Sequence, residues 1–224
     1  SCSRCPFLRS TQIRMRVEFH FDFGSPNAYL CHRVIPEIES RTGTKFEYVP
    51  VLLGGVFKLT GNISPAVAQK GIRNKPEYEA LEMRRFVSRH GIEDFRMNPH
   101  FPVNTLAIMR GAIVARTTGC FEQYIDGIYR FMWSDPRKMD DLEIIRGSLI
   151  ECSLDADAIL EGLKDPKIKA ELVRSTEASV ARGNFGSPSF FVEDELFFGK
   201  DRLDAVEREI VSRTRYPPSP PSEI

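Results

Sequence analysis

Apolar and polar residues alternate from Val17 to Phe23, with Val17, Phe19, Phe21 and Phe23 on one side and Glu18, His20 and Asp22 on the other. A period of two over seven residues predicts a β-strand. Gly24-Ser25-Pro26 follows, and then Tyr29, Leu30, Val34, Ile35 and Ile38 recur at helical spacing. Ser25 suits a helix N-cap, Pro26 the first helical position, where its missing N–H costs nothing, and Gly43 a stop. Pro36 lies inside this pattern and predicts a kink. A second strand is expected over Lys45–Val51, and Leu52–Asn62 reads as a loop or irregular stretch. Helical spacing then predicts Glu77–His90, Thr105–Thr118, Phe121–Trp133, Leu142–Leu149, Ala156–Leu163 and Ile168–Arg182. Gly91, Gly119, Asp135-Pro136, Asp140-Asp141, Asp155 and Asp165-Pro166 mark their starts and stops. Phe190–Val192 and Leu196–Phe198 flank a Glu193-Asp194-Glu195 turn as a hairpin, and Arg202–Thr214 forms a last helix burying Leu203, Val206 and Ile210.

The order is strand-helix-strand, a long helical block, then strand-strand-helix. That is an α/β scheme, a thioredoxin-like fold interrupted by a large α-helical insertion. The expected division places residues 16–62 and 184–214 in a split thioredoxin-like domain and residues 63–183 in the insertion. Residues 1–15 and 215–224 are expected to be disordered tails. The stretch up to Arg16 has four arginines and no acid, a weak likeness to a transit peptide, with Met15 as an alternative start. The Pro-rich Tyr216–Pro221 segment reads as extended and solvated.

Charge and cysteine usage narrow the class. The 31 basic residues balance 31 acidic ones, and no basic stripe carries interleaved aromatics, which argues against nucleic acid. No apolar run has the length needed to span a membrane, and no secretory apolar region is present. Cys2, Cys5, Cys31, Cys120 and Cys152 are odd in number and scattered, unlike a disulfide framework. The Cys2-x-x-Cys5 pair precedes the first strand, and no second pair completes a zinc site.

The candidate chemistry lies where the scheme brings two distant segments together, the Ser25-Pro26 helix start and Ser187-Pro188. Redox members of a thioredoxin-like fold open this helix with Cys-x-x-Cys, whereas here Ser25 and Ala28 stand at those positions. A reactive thiol must therefore come from a ligand. The open N-terminus of a helix carries unpaired N–H groups and partial positive charge, which stabilise an anion and lower the pKa of a thiol. From the residues alone, Ser25 is first a helix cap and Ser187-Pro188 an ordinary turn.

Five motifs in order carry a closer resemblance: Phe21-Asp22-Phe23-Gly24-Ser25-Pro26; Leu53-Gly54-Gly55-Val56-Phe57-Lys58 with Gly61-Asn62; Phe101-Pro102-Val103-Asn104-Thr105 with Arg110; Phe185-Gly186-Ser187-Pro188; and Phe198-Gly199-Lys200-Asp201-Arg202. From Val17 to Ile210 the chain resembles the 2-hydroxychromene-2-carboxylate isomerases and the related kappa-class glutathione transferases of the DsbA-like thioredoxin superfamily. The resemblance implies glutathione as cofactor, a small aromatic acid substrate, a cytoplasmic or organellar enzyme, and a homodimer. It places Ser25 at the ligand sulfur, Asn62 and Lys70 along the glutathione site, Ser187 before a cis Pro188 against the cysteinyl peptide, and Asp201 at the γ-glutamyl ammonium. Lys200 departs from the expected small or amide residue, Asn104 and Arg110 read as structural, and Lys58 is a candidate enolate stabiliser only by its loop. The implied chemistry is reversible thiolate addition to a conjugated aromatic keto acid, which frees a double bond to rotate. The alternatives are a kappa-like transferase or peroxidase, and a redox-inactive thioredoxin-fold binding protein.

Overall fold

β1 (Val17–Phe21) lies inside a four-stranded sheet of order β2–β1–β3–β4, pairing parallel with β2 (Phe46–Pro50) and antiparallel with β3 (Ser189–Val192), which pairs antiparallel with β4 (Glu195–Phe198). The register sets Phe19 opposite Tyr48 on one neighbour and Phe190 on the other. The computed structural model describes residues 15–215; the Cys2–Cys5 pair, the Arg-rich segment before Met15 and the Pro-rich tail lie outside the described residues.

All five β1 residues are buried. The apolar side stacks Phe19 on Phe190 and Phe21 against Phe23 and Tyr129. The polar side is buried too, because the C-terminal half of a long helix covers it: His20 meets Ser179 and Glu18 meets Arg182. The alternation of period two therefore separates an apolar core face from a buried polar face that bonds to this helix.

After β1 comes α1 (Pro26–Thr42), which begins at Ser25, ends at Gly43 with φ 70°, and runs through Pro36 without a break. Leu53–Thr60 is helical, α2, contrary to the irregular stretch expected from the sequence. Two adjacent glycines weaken local helix propensity, but tertiary contacts compensate. Val56 is buried, the Leu53 N–H is held by Asp22, and a Cβ on Gly55 would meet Thr176 at 3.2 Å, so the glycine permits close packing. Gly61, at φ 72°, ends the helix.

The helical block comprises α3 (Pro65–Ala68), α4 (Lys75–Arg89), α5 (Leu106–Thr118), α6 (Phe121–Trp133), α7 (Leu142–Glu151), α8 (Ala156–Gly162) and α9 (Pro166–Ala181). Their bounds follow the expected stops, including Asp141, Asp155 and Asp165 as side-chain N-caps. A 3-10 turn at Lys200–Arg202 leads into α10 (Leu203–Arg215). The block is joined to the sheet through the β1–α1 loop: Trp133 of α6 donates to the Phe23 carbonyl at 2.8 Å, and the Phe23 N–H points at the Met109 sulfur of α5. No helix among the described residues is long and apolar enough to cross a membrane.

Candidate functional site

Sheet order places the C-terminal end of β1 beside the N-terminal end of β3, so the loops at these ends converge. The β1–α1 turn closes with Ser25 N–H donating to the Asp22 carbonyl at 3.1 Å. Gly24 sits where a Cβ would come within 3.1 Å of Thr105 and 3.2 Å of the Asp22 carboxylate. Only glycine permits this approach without displacement. Ser25 is 5% exposed, and its Oγ accepts from the Ala28 N–H at 3.2 Å as an N-cap. The same hydroxyl donates to the Ser187 carbonyl at 2.9 Å.

The loop 185–188 is the hub of the site, because successive carbonyls each hold a different element. Phe185 O accepts from the Asn62 side chain at 2.8 Å, Ser187 O from Ser25, and Pro188 O from Gly199 N–H at 3.0 Å. The Ser187–Pro188 bond is cis, as expected, and so is Phe101–Pro102, which was not. Asn62, after α2, thus joins the cis-proline loop, and Asp201 belongs to the 3-10 turn that Gly199 opens. Phe185 and Phe198 pack together at 4.4 Å, both partly exposed.

The remaining sequence candidates fall differently. Lys70 is exposed in the turn after α3, and its side chain makes no hydrogen bond or ion pair among the described residues. Lys200 folds inward, 6% exposed, bonding Asp201 at 2.6 Å and lying over the Phe86 ring. Asn104 accepts from Leu106 N–H and so caps the start of α5, a structural role. Arg110 lines a cavity of about 830 Å³ with Leu106, Leu160 and Lys169, and its buried Nε has no partner among the described residues. Lys58 is exposed at the end of α2.

Two residues not singled out from the sequence stand in the site. Asp22 is fully buried; its carboxylate accepts from Gly24 N–H at 2.8 Å and Leu53 N–H at 2.7 Å, and its own N–H donates to Ser187 Oγ at 3.1 Å. Burial pushes its carboxyl upward, against the pull of those N–H groups and of Thr105. Asp22 therefore ties together the starts of α1, α2 and α5 and the cis-proline loop. Its signals were its polar place in the strand pattern and its membership of the Phe21–Pro26 motif, and neither distinguishes an interior acid from a solvated one. Asn27, in the first turn of α1, has a buried Oδ1 with no partner among the described residues. An orphaned polar atom beside the open helix N-terminus is a ready contact for a polar ligand.

The arrangement suits a bound thiol and provides none of its own. Cys31, the cysteine of α1, is fully buried, which pushes its thiol well up, and Ser25 and Ala28 hold no sulfur.

Comparison with known proteins agrees with this geometry. The DSBA-like thioredoxin domain matches residues 16–211. A 2-hydroxychromene-2-carboxylate isomerase from Sphingobium xenophagum is 29% identical over 196 residues, covering 85% of this chain and 95% of that protein. Glutathione S-transferase kappa 1 from Homo sapiens is 22% identical over 200 residues, covering 85% and 88%. The solved structure of a 2-hydroxychromene-2-carboxylate isomerase superposes with a TM-score of 0.74 at 23% identity, covering 90% of this chain and 98% of that one.

Proposed function

The chain belongs to the DSBA-like thioredoxin domain family, and on that premise we propose that it is a glutathione-dependent isomerase of the 2-hydroxychromene-2-carboxylate isomerase type. The observation that carries this reading is Ser25, which caps α1 and faces the Ser187 carbonyl where the redox members of the fold place a cysteine. Isomerases of that name at 24–29% identity along most of the chain, with kappa transferases beside them, support it.

The residues present fit glutathione. The helix N-terminus and the Ser25 hydroxyl favour a thiolate, the hydroxyl by a charge-assisted bond stronger than a neutral one. When Ser25 turns to the sulfur, the Ser187 carbonyl is released to accept from a peptide N–H of the ligand. Asn27 Oδ1 offers a further acceptor. Asp201, exposed at 64%, presents a carboxylate to the γ-glutamyl ammonium, and Lys70 offers a cation to the glycyl carboxylate. When bound, glutathione supplies a thiolate that adds reversibly to a conjugated aromatic keto acid so that its double bond can turn. The chain holds that sulfur ionised, orients it, and closes the site with the Trp133-pinned loop. The exposed Leu59, Ile63, Val67, Ile72 and Tyr78 on and between α2 and α4 support a homodimer formed through that face.

The test is a glutathione titration by calorimetry combined with a cis-to-trans assay on a chromene-carboxylate substrate followed by NMR. Isomerisation with glutathione recovered unchanged is expected. Consumption of glutathione with conjugate formation would assign the chain to the kappa-like transferase activity, and absence of binding would leave a redox-inactive binding protein.

A further inference from the structure

Behind the cis-proline loop runs a chain of buried hydrogen bonds that begins at His20, on the polar side of β1. His20 Nδ1 lies 2.7 Å from Ser179 Oγ of α9, and Asn184 Nδ2 lies 2.7 Å from the same oxygen. Asn184 Oδ1 accepts from Gly186 N–H at 2.9 Å and from Ser189 Oγ at 2.8 Å. All four side chains are at most 2% exposed. Gly186 precedes Ser187, the residue whose carbonyl faces Ser25.

The directions of the Asn184 and Ser179 bonds follow from their partners. Gly186 has only an N–H to offer, so the Asn184 amide must present its oxygen there and its NH2 to Ser179. Ser179 Oγ therefore receives one hydrogen from Asn184, and among the described residues the only acceptor for its own hydrogen is His20 Nδ1. That nitrogen must be unprotonated, so the imidazole is neutral and carries its proton on Nε2. Nε2 lies 3.6 Å from Glu18, too far for a hydrogen bond, and has no other partner among the described residues.

We propose that His20 is a positioning residue for the cis-proline loop: as a neutral imidazole it orients Ser179 and Asn184, which hold Gly186 and hence Ser187 in place, and protonation of Nδ1 reverses the first bond and loosens that loop. Two donors would then face Ser179 Oγ, and the hydroxyl hydrogen would lose its acceptor in a site without water access. The charged groups around His20 are Glu18 on β1, which Arg16 and Arg182 both engage, and Glu193, which accepts from Arg16 N–H. Phe191 of β3 packs on the ring at 4.8 Å. Burial disfavours the imidazolium, as do the two guanidinium groups, while Glu18 favours it; burial is the largest of these, and the imidazole is held below its ordinary value.

As a statement about glutathione this inference rests on the function proposed above, but the loop can be followed without any ligand. The experiment is an NMR pH titration of the full chain from 7.5 to 4.5, reading the His20 ring nitrogens and the Gly186 and Ser187 amides, with glutathione affinity measured in parallel. The expected result is an Nε2–H tautomer at pH 7.5 and Gly186 and Ser187 amide shifts that follow the His20 titration. Glutathione affinity should fall about two- to tenfold as His20 charges, the equivalent of one hydrogen bond. Ser179→Ala should leave His20 titrating while the loop amides no longer follow. His20→Asn, which keeps an acceptor at the Nδ1 position and does not titrate, should keep neutral-pH affinity and abolish its acid decline. An Nδ1–H tautomer, loop amides indifferent to His20, no His20 titration down to pH 4.5, or coupling that survives Ser179→Ala would overturn the proposal. If the wild-type chain binds no glutathione at any pH, the cofactor reading fails while the amide titration still decides the role of His20.

Discussion

The Ser25 hydroxyl donates to the Ser187 carbonyl at 2.9 Å across 162 positions of sequence, so one hydrogen bond closes the candidate thiol site. The bond shows how a capping serine can act as a donor. The oxygen is fixed by the Ala28 N–H, and the hydrogen is free to choose between a backbone carbonyl and a more strongly attracting anion.

Ser25→Ala should therefore lose a cap and a loop contact, at about 1–2 kcal/mol of stability, and still fold. Losing a hydrogen bond to a charged sulfur, about 1.5–3 kcal/mol, should raise the pKa of the bound thiol by about one to two units. Activity near neutral pH should drop roughly ten- to a hundredfold and recover in part at higher pH. Thiolate absorbance in a pH titration checks this, and an unshifted titration with the wild-type rate would reduce Ser25 to a cap.

Asp22→Ala should be the more damaging change for the fold. It leaves the buried N–H groups of Gly24 and Leu53 unpaired, at about 1–3 kcal/mol each. Asp22→Asn should recover part of the loss, because its amide oxygen can serve one N–H while its NH2 opposes the other. Urea unfolding of both variants measures the difference, and equal stability of Asp22→Ala and wild type would contradict the clamp.

Acid should destabilise the protein in two stages. The fold favours neutral His20, so its contribution is present above the ordinary histidine value of 6.5 and is lost as pH falls below it. Burial alone would raise the Glu18 carboxyl, but His20 and Arg182 outweigh it and bring it from 4.5 down to about 2. Stability from Glu18 is therefore present above pH 4.5 and lost as pH falls toward 2. Asp22, whose carboxyl is raised, has the opposite sign just above its ordinary 3.8, where rising pH costs stability. Urea midpoints measured from pH 7.5 to 2 should show Glu18→Gln flattening the lower stage and, because Glu18 favours the imidazolium, moving the His20 stage to lower pH.

Dithiol–disulfide exchange should be absent from this site. Cys31 is buried and Ser25 and Ala28 replace the usual pair. Insulin reduction by a chain with Cys2→Ser and Cys5→Ser should not exceed background; turnover in that variant would require a different redox centre.

Asp201→Asn should weaken glutathione binding by roughly tenfold or more, the scale of one charged hydrogen bond, and should also cost stability, because it removes the carboxylate paired with the buried Lys200 ammonium. Lys70→Ala should weaken it less, since a solvated lysine acts mainly as a screened charge. Calorimetric titration at two salt concentrations checks both, and an unchanged affinity in Asp201→Asn would place the ammonium elsewhere.

Much of this protein is legible in its amino-acid order. The Val17–Phe23 alternation, Ser25-Pro26 before helical spacing, Gly43, Gly91 and Gly119 at helix ends, and the aspartate caps are local signals, because propensity and capping depend on neighbours a few positions away. The absence of a cysteine pair at Ser25 and Ala28 is likewise read directly. Tertiary structure alone decided the rest. Leu53–Thr60 became a helix against its glycines because Asp22 holds its first N–H and α9 receives Val56 and Gly55. Glu18, His20 and Asp22 turned out to be interior groups because α9 and the starts of α2 and α5 cover the side of β1 that a pattern of period two leaves undecided. Asn62, and Gly199 two residues before Asp201, were brought to the 185–188 loop by long-range hydrogen bonds whose energy depends on distance in space and not on separation along the chain.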